Sequence, residues 1–177
     1  MQGLFDFIRQ VIETARPWVM VPPWEQGVRV RLGKHITELA PGIHLVIPLV
    51  DVIHTLNVVP QVVNLPNQSV RSRDKKSVAV SGGIEYGIRN IKAAYCNVQD
   101  FDRSLQTLAM GIIADYVTAH DFAECTLEEI KAEVLKGIKD ACRGWGLDVR
   151  RVFITDLCEH RAIRLMTGDT PMTMVTG

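Results

Sequence analysis

Between Pro22 and Asp51 the character of the chain alternates from one residue to the next. Val28, Val30 and Leu32 alternate with Arg29 and Arg31, the period of two that a half-buried strand imposes because successive side chains point to opposite faces. Gly33 and the Pro41-Gly42 pair punctuate the pattern, and the apolar run from Ile43 to Val50 follows as a second strand. Asp51 to Leu65 is again β-branched and apolar, interrupted by Pro60 and closed by Pro66-Asn67, which predicts two strands or one kinked edge strand. Gln68 to Lys76 is a polar strand or loop. The clearest strand comes next, with Val78, Val80, Ile84, Tyr86 and Ile88 on one face and Ser81, Glu85 and Arg89 on the other. Gly82-Gly83 in its middle predicts a bulge or the close approach of another backbone.

Past Asn90 the period changes from two to about 3.6. Asn90 can cap a short helix over Ile91 to Asn97. A longer helix spans about Phe101 to Ala119, with Phe101, Leu105, Leu108, Ile112 and Tyr116 at helical spacing. Thr126-Leu127-Glu128-Glu129 is a capping box for a third helix, whose predicted buried stripe is Leu127, Ile130, Val134, Ile138 and Ala141 and which Gly144 or Gly146 stops. Trp145 to Leu157 supplies the last strand. The expected fold is α+β, an antiparallel or mixed sheet followed by packed helices.

The 20 basic and 20 acidic residues cancel, so the chain lacks the basic footprint of a general nucleic-acid binder. Cys96, Cys125, Cys142 and Cys158 are too widely spread for a zinc knuckle or a CxxC pair and read as buried apolar residues or free thiols. The first residues lack the positive region of a signal peptide, and Asp6, Arg9, Glu13 and Arg16 break any spanning helix. On a helical period Leu4, Phe5, Ile8, Val11, Ile12 and Ala15 form one stripe. Pro17 ends that segment, and Trp18 to Val21 follows as a short apolar run whose Trp18, like Trp24, is of the amphipathic kind that favours a membrane–water interface. Two readings stay open: an interfacial anchor lying in the headgroup plane, or a helix folded back on its own domain.

These pieces, in this order, resemble the stomatin/prohibitin (SPFH, band 7) domain. The Glu25-Gln26-Gly27-Val28 strand, the Arg31-Leu32-Gly33 turn, Pro41-Gly42 ahead of a hydrophobic strand, Gln68 and Asp74 before the alternating strand, Asn90 after it, and the Trp145-Gly146-Leu147 turn before the last strand all carry the resemblance, which covers about Pro22 to Leu157. Ser72 stands where threonine is commoner. The resemblance implies a domain at 22–157, a membrane-associating segment at 1–21 with Leu4, Phe5, Ile8, Val11, Ile12 and Trp18 meeting lipid, and a short helix and tail at 158–177. The chain departs from the family in that the long C-terminal coiled-coil helix that usually follows is not expected here, a short form as expected of a bacterial or bacteriophage member. The resemblance further implies a peripheral or monotopic protein on the cytoplasmic face, without cofactor, that scaffolds membrane by closing into a homo-oligomeric ring, with a membrane protease or channel as a further partner. The charged face of the third helix, Glu128, Lys131, Glu133, Lys136, Lys139, Asp140 and Arg143, is then the expected subunit contact. A non-ring adaptor that regulates one membrane protease or transporter is the alternative.

Two other chemistries are weaker. Arg71, Arg73, Lys75 and Lys76 could form a phosphate or headgroup patch, although mixed charges in a turn are more often a solvated loop. His120-Asp121 near Cys125 has the ingredients of a base and nucleophile, but local spacing cannot assemble a site, and Asp121 caps and Cys125 packs more naturally there. The expectation is a protein without catalytic residues.

Overall fold

The computed structural model describes residues 17–160, and every strand pairing within them is antiparallel. β1 (Trp18–Val21) pairs with β4 (Gly42–Leu45) as a two-stranded ribbon. β2 (Glu25–Arg31) lies between β3 (His35–Leu39) and β5 (Asp51–Asn57) in a three-stranded sheet. β6 (Gln61–Arg71), β7 (Ser77–Ile88) and β8 (Leu147–Glu159) form the largest sheet, with β7 at its centre. Between β7 and β8 come α1 (Ile91–Asn97), α2 (Phe101–Ala119), a single 3-10 turn at Phe122–Glu124, and α3 (Leu127–Ala141). The α+β expectation holds.

The core lies between one face of the large sheet and the two longer helices. Val78, Val80, Ile84 and Tyr86 of β7 project to that side, as their alternation predicts, and meet Val63 and Leu65 of β6 and Val149, Val152 and Ile154 of β8. From α2 the deeply buried line is Leu105, Ala109, Ile113 and Val117, at strict i, i+4 spacing. The other expected stripe residues, Phe101, Leu108, Ile112 and Tyr116, are half-buried beside it. A helix held between a sheet and α3 has two contact directions, so its apolar stripe is broad and the small Ala109 takes the tightest place. In α3 the stripe is Ile130, Val134 and Ile138, whereas Leu127 and Ala141 at its two ends are exposed. The caps form as read: Asn90 accepts from Ala93 N–H at 2.9 Å, and Thr126 accepts from Glu129 N–H at 3.3 Å while donating to Glu129 Oε2 at 2.8 Å.

Glycine is required at two crossings. A Cβ on Gly82 would stand 2.0 Å from the carbonyl oxygen of Phe153, at a register shift between β7 and β8, so both expectations for the Gly-Gly pair are met. Gly146 has φ +75° and accepts N–H bonds from Arg89 and Asn90 at 2.8 and 3.0 Å. It thereby fixes the end of α3 against the start of α1.

Several boundaries differ from the sequence reading, among them the strand expected over Ile43 to Val50, which ends at Leu45. Trp18–Val21 belongs to the folded sheets, because Val21 is buried and the whole run pairs with β4. β6 does not close at Pro66-Asn67 but runs through it, the ladder shifting register between Leu65 and Gln68 so that the proline's missing donor falls in a bulge. β3 was not foreseen: His35–Leu39 lacks clean alternation and is held by the Leu32-Gly33 turn, where both residues have positive φ (51° and 68°). At the other end β8 continues to Glu159, into the stretch expected to begin a short helix. The expected amphipathic segment up to Arg16 and the remainder of that helix and its tail lie outside the described residues.

Candidate functional site: an outward apolar face

In the β1–β4 ribbon Trp18 stands opposite Leu45 and Met20 opposite Ile43. Cross-strand partners share a face, so these four side chains form one surface. They are 56%, 77%, 71% and 74% exposed, respectively. Val19 and Val21 alternate to the other side, and Val21 packs against Gly27 of β2. The outward face of the ribbon is therefore apolar and uncovered among the described residues, while Val19, Val21 and His44 share the inward one.

The surface continues into the loop from Val46 to Val50. There Ile47 is half exposed and Leu49, at φ +70°, is fully exposed. A clamp holds this loop. Arg31 forks onto Asp51 with Nε–Oδ1 at 2.6 Å and Nη2–Oδ2 at 2.9 Å, while Asp51 Oδ2 also accepts the Ile47 N–H at 3.1 Å. The backbone closes it further, with Val50 and Asp51 N–H groups both on the Ile47 carbonyl and Val46 N–H on the Pro17 carbonyl at 2.7 Å. The Asp51 side chain has no solvent exposure. The guanidinium and the Ile47 amide hold its carboxyl down at about 2, from an ordinary 3.8, against the opposing effect of desolvation.

Of the residues expected to meet lipid, Trp18 lies on this surface, and Leu4, Phe5, Ile8, Val11 and Ile12 lie outside the described residues. Met20, Ile43, Leu45, Ile47 and Leu49 were not singled out. Their signal was present in the sequence, because Trp18 and Met20 alternate with Val19 and Val21, but an all-apolar alternation does not say which face is left open. Among the described residues no helix is long and apolar enough to cross a membrane.

Of the expected subunit-contact residues, Glu128, Glu133, Lys136, Lys139 and Asp140 are exposed on α3, Lys131 is half-exposed, and Arg143 lies in the turn beyond the helix, while Ile130, Val134 and Ile138 are buried. Glu128 pairs with Lys131 at 2.8 Å and Asp140 with Arg143 at 2.9 Å. Glu133, Lys136 and Lys139 form no ion pair among the described residues.

Two cations of the basic turn, Arg73 and Lys76, are engaged internally, while Arg71 and Lys75 are exposed. Arg73 forks onto Asp121 at 2.9 and 2.8 Å and reaches Glu124 at 3.2 Å. Lys76 lies 3.5 Å from Asp74, 3.7 Å from Glu159 and over the Phe122 ring. Ser72 is buried and donates to Asp74 while accepting the Lys76 N–H at 3.2 Å, so serine does the turn-closing work here. Cys125 is buried in the core, and desolvation together with Glu124, Asp74, Glu129 and Asp121 pushes its thiol up, away from the thiolate a nucleophile needs. His120 is committed through Nδ1 to the Tyr116 carbonyl at 2.8 Å. Asp121 caps the 3-10 turn.

Comparison with known proteins gives the lineage. The chain is 28% identical to Stomatin-4 of Caenorhabditis elegans over 142 residues, 78% of this chain and 50% of that one. It is 28% identical to human Stomatin-like protein 3 over 78% of this chain and 49% of that protein. A protein of Methanocaldococcus jannaschii is 25% identical over 78% of this chain and 71% of its own length. The chain thus spans about half the length of the two stomatin relatives. The profile of the SPFH domain / Band 7 family matches residues 19–164, starting within β1 and continuing past β8. That match covers most of the chain, and the chain belongs to the SPFH domain / Band 7 family.

Proposed function

We propose that this protein is a membrane-associated scaffold that meets the bilayer with the outward face of the β1–β4 ribbon and its adjoining loop. The observation that carries the reading is the shared outward face of Trp18, Met20, Ile43 and Leu45, with Ile47 and Leu49 exposed in the loop that follows β4. Monomeric proteins rarely leave contiguous apolar patches above a few hundred Å² uncovered. Transfer of six such side chains, at ~1.5–3 kcal/mol for each one fully buried, gives on the order of 10 kcal/mol before ordering and desolvation costs. The amphipathic segment ending at Arg16 enters the fold through Pro17, whose carbonyl is bonded to Val46 at the root of the same surface. Segment and ribbon would then act as two contacts on one leaflet, which is how weak interfacial anchors become stable ones. The cytoplasmic face is the side this reading assigns.

Self-association into a ring or other closed oligomer, with the outer side of α3 meeting a different face of the next copy, completes the proposal. Glu133, Lys136 and Lys139, which form no ion pair among the described residues, offer both signs of charge on that side for such a heterologous contact. A scaffold of this kind corrals a patch of membrane and restricts access to partner membrane proteins such as proteases.

Vesicle flotation tests the membrane contact. Met20→Asp with Leu45→Asp should cut the floated fraction at least tenfold on neutral phosphatidylcholine vesicles, with an unchanged melting transition, since both side chains already face water. Undiminished flotation of the folded double variant would overturn the reading.

A further inference from the structure

Where β7 ends and β8 begins, the chain encloses a cavity of about 390 Å³ between the start of α1 and the end of α3. Three cations line it, each from a different element: Arg89 just past β7, Lys139 on α3, and Arg143 in the turn that follows α3. Asp148 is the one acidic residue of the lining. Positive charge is thus gathered here in a chain whose net charge is +0. The two larger grooves beside β5 differ. One is uncharged apart from the titratable His54, and the other sets Asp100 and Asp102 against Arg103.

The acceptors of this cavity are spent, and its donors are not. The Gly146 carbonyl takes the Arg89 and Asn90 N–H groups, and the Gly144 carbonyl takes the Asn97 amide at 2.6 Å. Asp148 is shared between Arg89 at 3.5 Å and Arg150 at 3.8 Å. Arg143 is paired only with Asp140, at 2.9 Å, and both are exposed, so that pair opens at little cost. Lys139 forms no ion pair among the described residues. The N–H groups of Gly144 and Gly146 donate to no acceptor among the described residues, and Asn90, which accepts from Ala93 through Oδ1, keeps its amide nitrogen free to donate. Gly144 and Gly146 have φ of +85° and +75°, with Trp145 between them at negative φ. Alternation of this kind turns successive N–H groups toward one concavity, as in known anion nests.

We propose that this cavity binds a phosphate monoester. Such a group carries about −1.5 to −2 charge at neutral pH and three strong acceptor oxygens, whereas a carboxylate offers a single charge and two oxygens, too few for three cations and the glycine amides together. The volume lies toward the lower end of the roughly 300–1,000 Å³ of small-molecule sites. It suits a phosphate with a small organic part, for which Ala93 and Leu147 supply an apolar wall. The site stands apart from the membrane and assembly readings. Lys139 and Arg143 also belong to the proposed subunit contact, so the decisive substitution is made at Arg89, which does not.

Calorimetric titration of the full chain with glycerol 3-phosphate tests the site. Wild type should bind saturably, with inorganic phosphate as a competitor. Arg89→Ala removes an exposed side chain and should weaken binding roughly tenfold, the share of one charge-assisted hydrogen bond. Arg71→Ala, which removes an exposed cation outside the cavity, should leave affinity unchanged. Absence of saturable binding, or equal losses in the two variants, would overturn the proposal. Flotation on phosphatidylcholine vesicles with and without phosphatidic acid, whose headgroup is the same monoester, identifies the source. A gain from phosphatidic acid that Arg89→Ala abolishes assigns a lipid headgroup. Flotation unaffected by that substitution, alongside calorimetric binding, assigns a soluble phosphorylated metabolite; either result upholds the site. Loss of flotation by Met20→Asp with Leu45→Asp concerns the ribbon alone and should leave the calorimetric affinity as it is.

Discussion

The β1–β4 ribbon and the β6–β7–β8 sheet are both antiparallel and both rich in apolar residues, yet they use them oppositely. In the large sheet the apolar side of β7 is sealed by α2 and α3, leaving Val78 and Ile84 with no exposure. In the ribbon Trp18, Met20, Ile43 and Leu45 face outward, and Val19, Val21 and His44 turn toward the rest of the fold. Hydrophobicity alone would rank the two alike. What separates them is the chain that follows: α2 and α3 come after β7 and can cover it, whereas the short connections around β1 and β4 supply no cover.

The sharpest way to break this comparison is to truncate one isoleucine from each region. Ile84→Ala should destabilise the fold by about 2–5 kcal/mol, because it leaves a cavity in a sealed core. Ile43→Ala should stay within about 0.5 kcal/mol of wild type in denaturant titration while weakening vesicle flotation. Equal losses of stability would mean that the ribbon face is covered after all.

Acid titration probes the clamp that shapes the ribbon's loop. Because the Asp51 carboxyl is held at about 2 in the fold and returns to 3.8 on unfolding, its stabilising contribution is complete above that ordinary value and is lost as pH falls through about 2. The melting temperature of wild type should therefore approach that of Asp51→Asn between pH 4 and pH 2. A constant gap across that window would remove Arg31–Asp51 from the account. The smallest effect on stability is expected from the charged side of α3. Lys136→Glu with Lys139→Glu should leave the melting transition within about 0.5 kcal/mol of wild type, yet convert large particles to small ones in light scattering. Unchanged particle size would move the subunit contact elsewhere.

How much could be read from the chain follows the same division. β7 was legible because its alternation is long and its inner residues are large. α1 and α3 were legible because Asn90 and Thr126 announce their starts. β3 was not, since His35-Ile36-Thr37-Glu38-Leu39 has no strong period and is held as a strand by β2 beside it. The outward face was half legible. Trp18 drew notice as an interfacial residue and Met20 shares its face by alternation, but Ile43 and Leu45 join them only through a pairing register that no local pattern encodes. Cys125 and the basic turn show the converse: their local spacing invited chemistry, and the fold packs Cys125 into the core and commits Arg73 and Lys76 to internal ion pairs.

Leu49 stands out from its loop because Asp51 and the Ile47 carbonyl hold the turn from behind. A tip fixed in this way is a stiff wedge. Under the membrane reading it does not mould itself to a flat, tightly packed leaflet but fits the transient gaps between acyl chains, which become more frequent as a bilayer bends outward. The Arg31–Asp51 clamp would then set a preference for strongly curved over flat membrane, and loosening it would blunt that preference before it weakened binding itself.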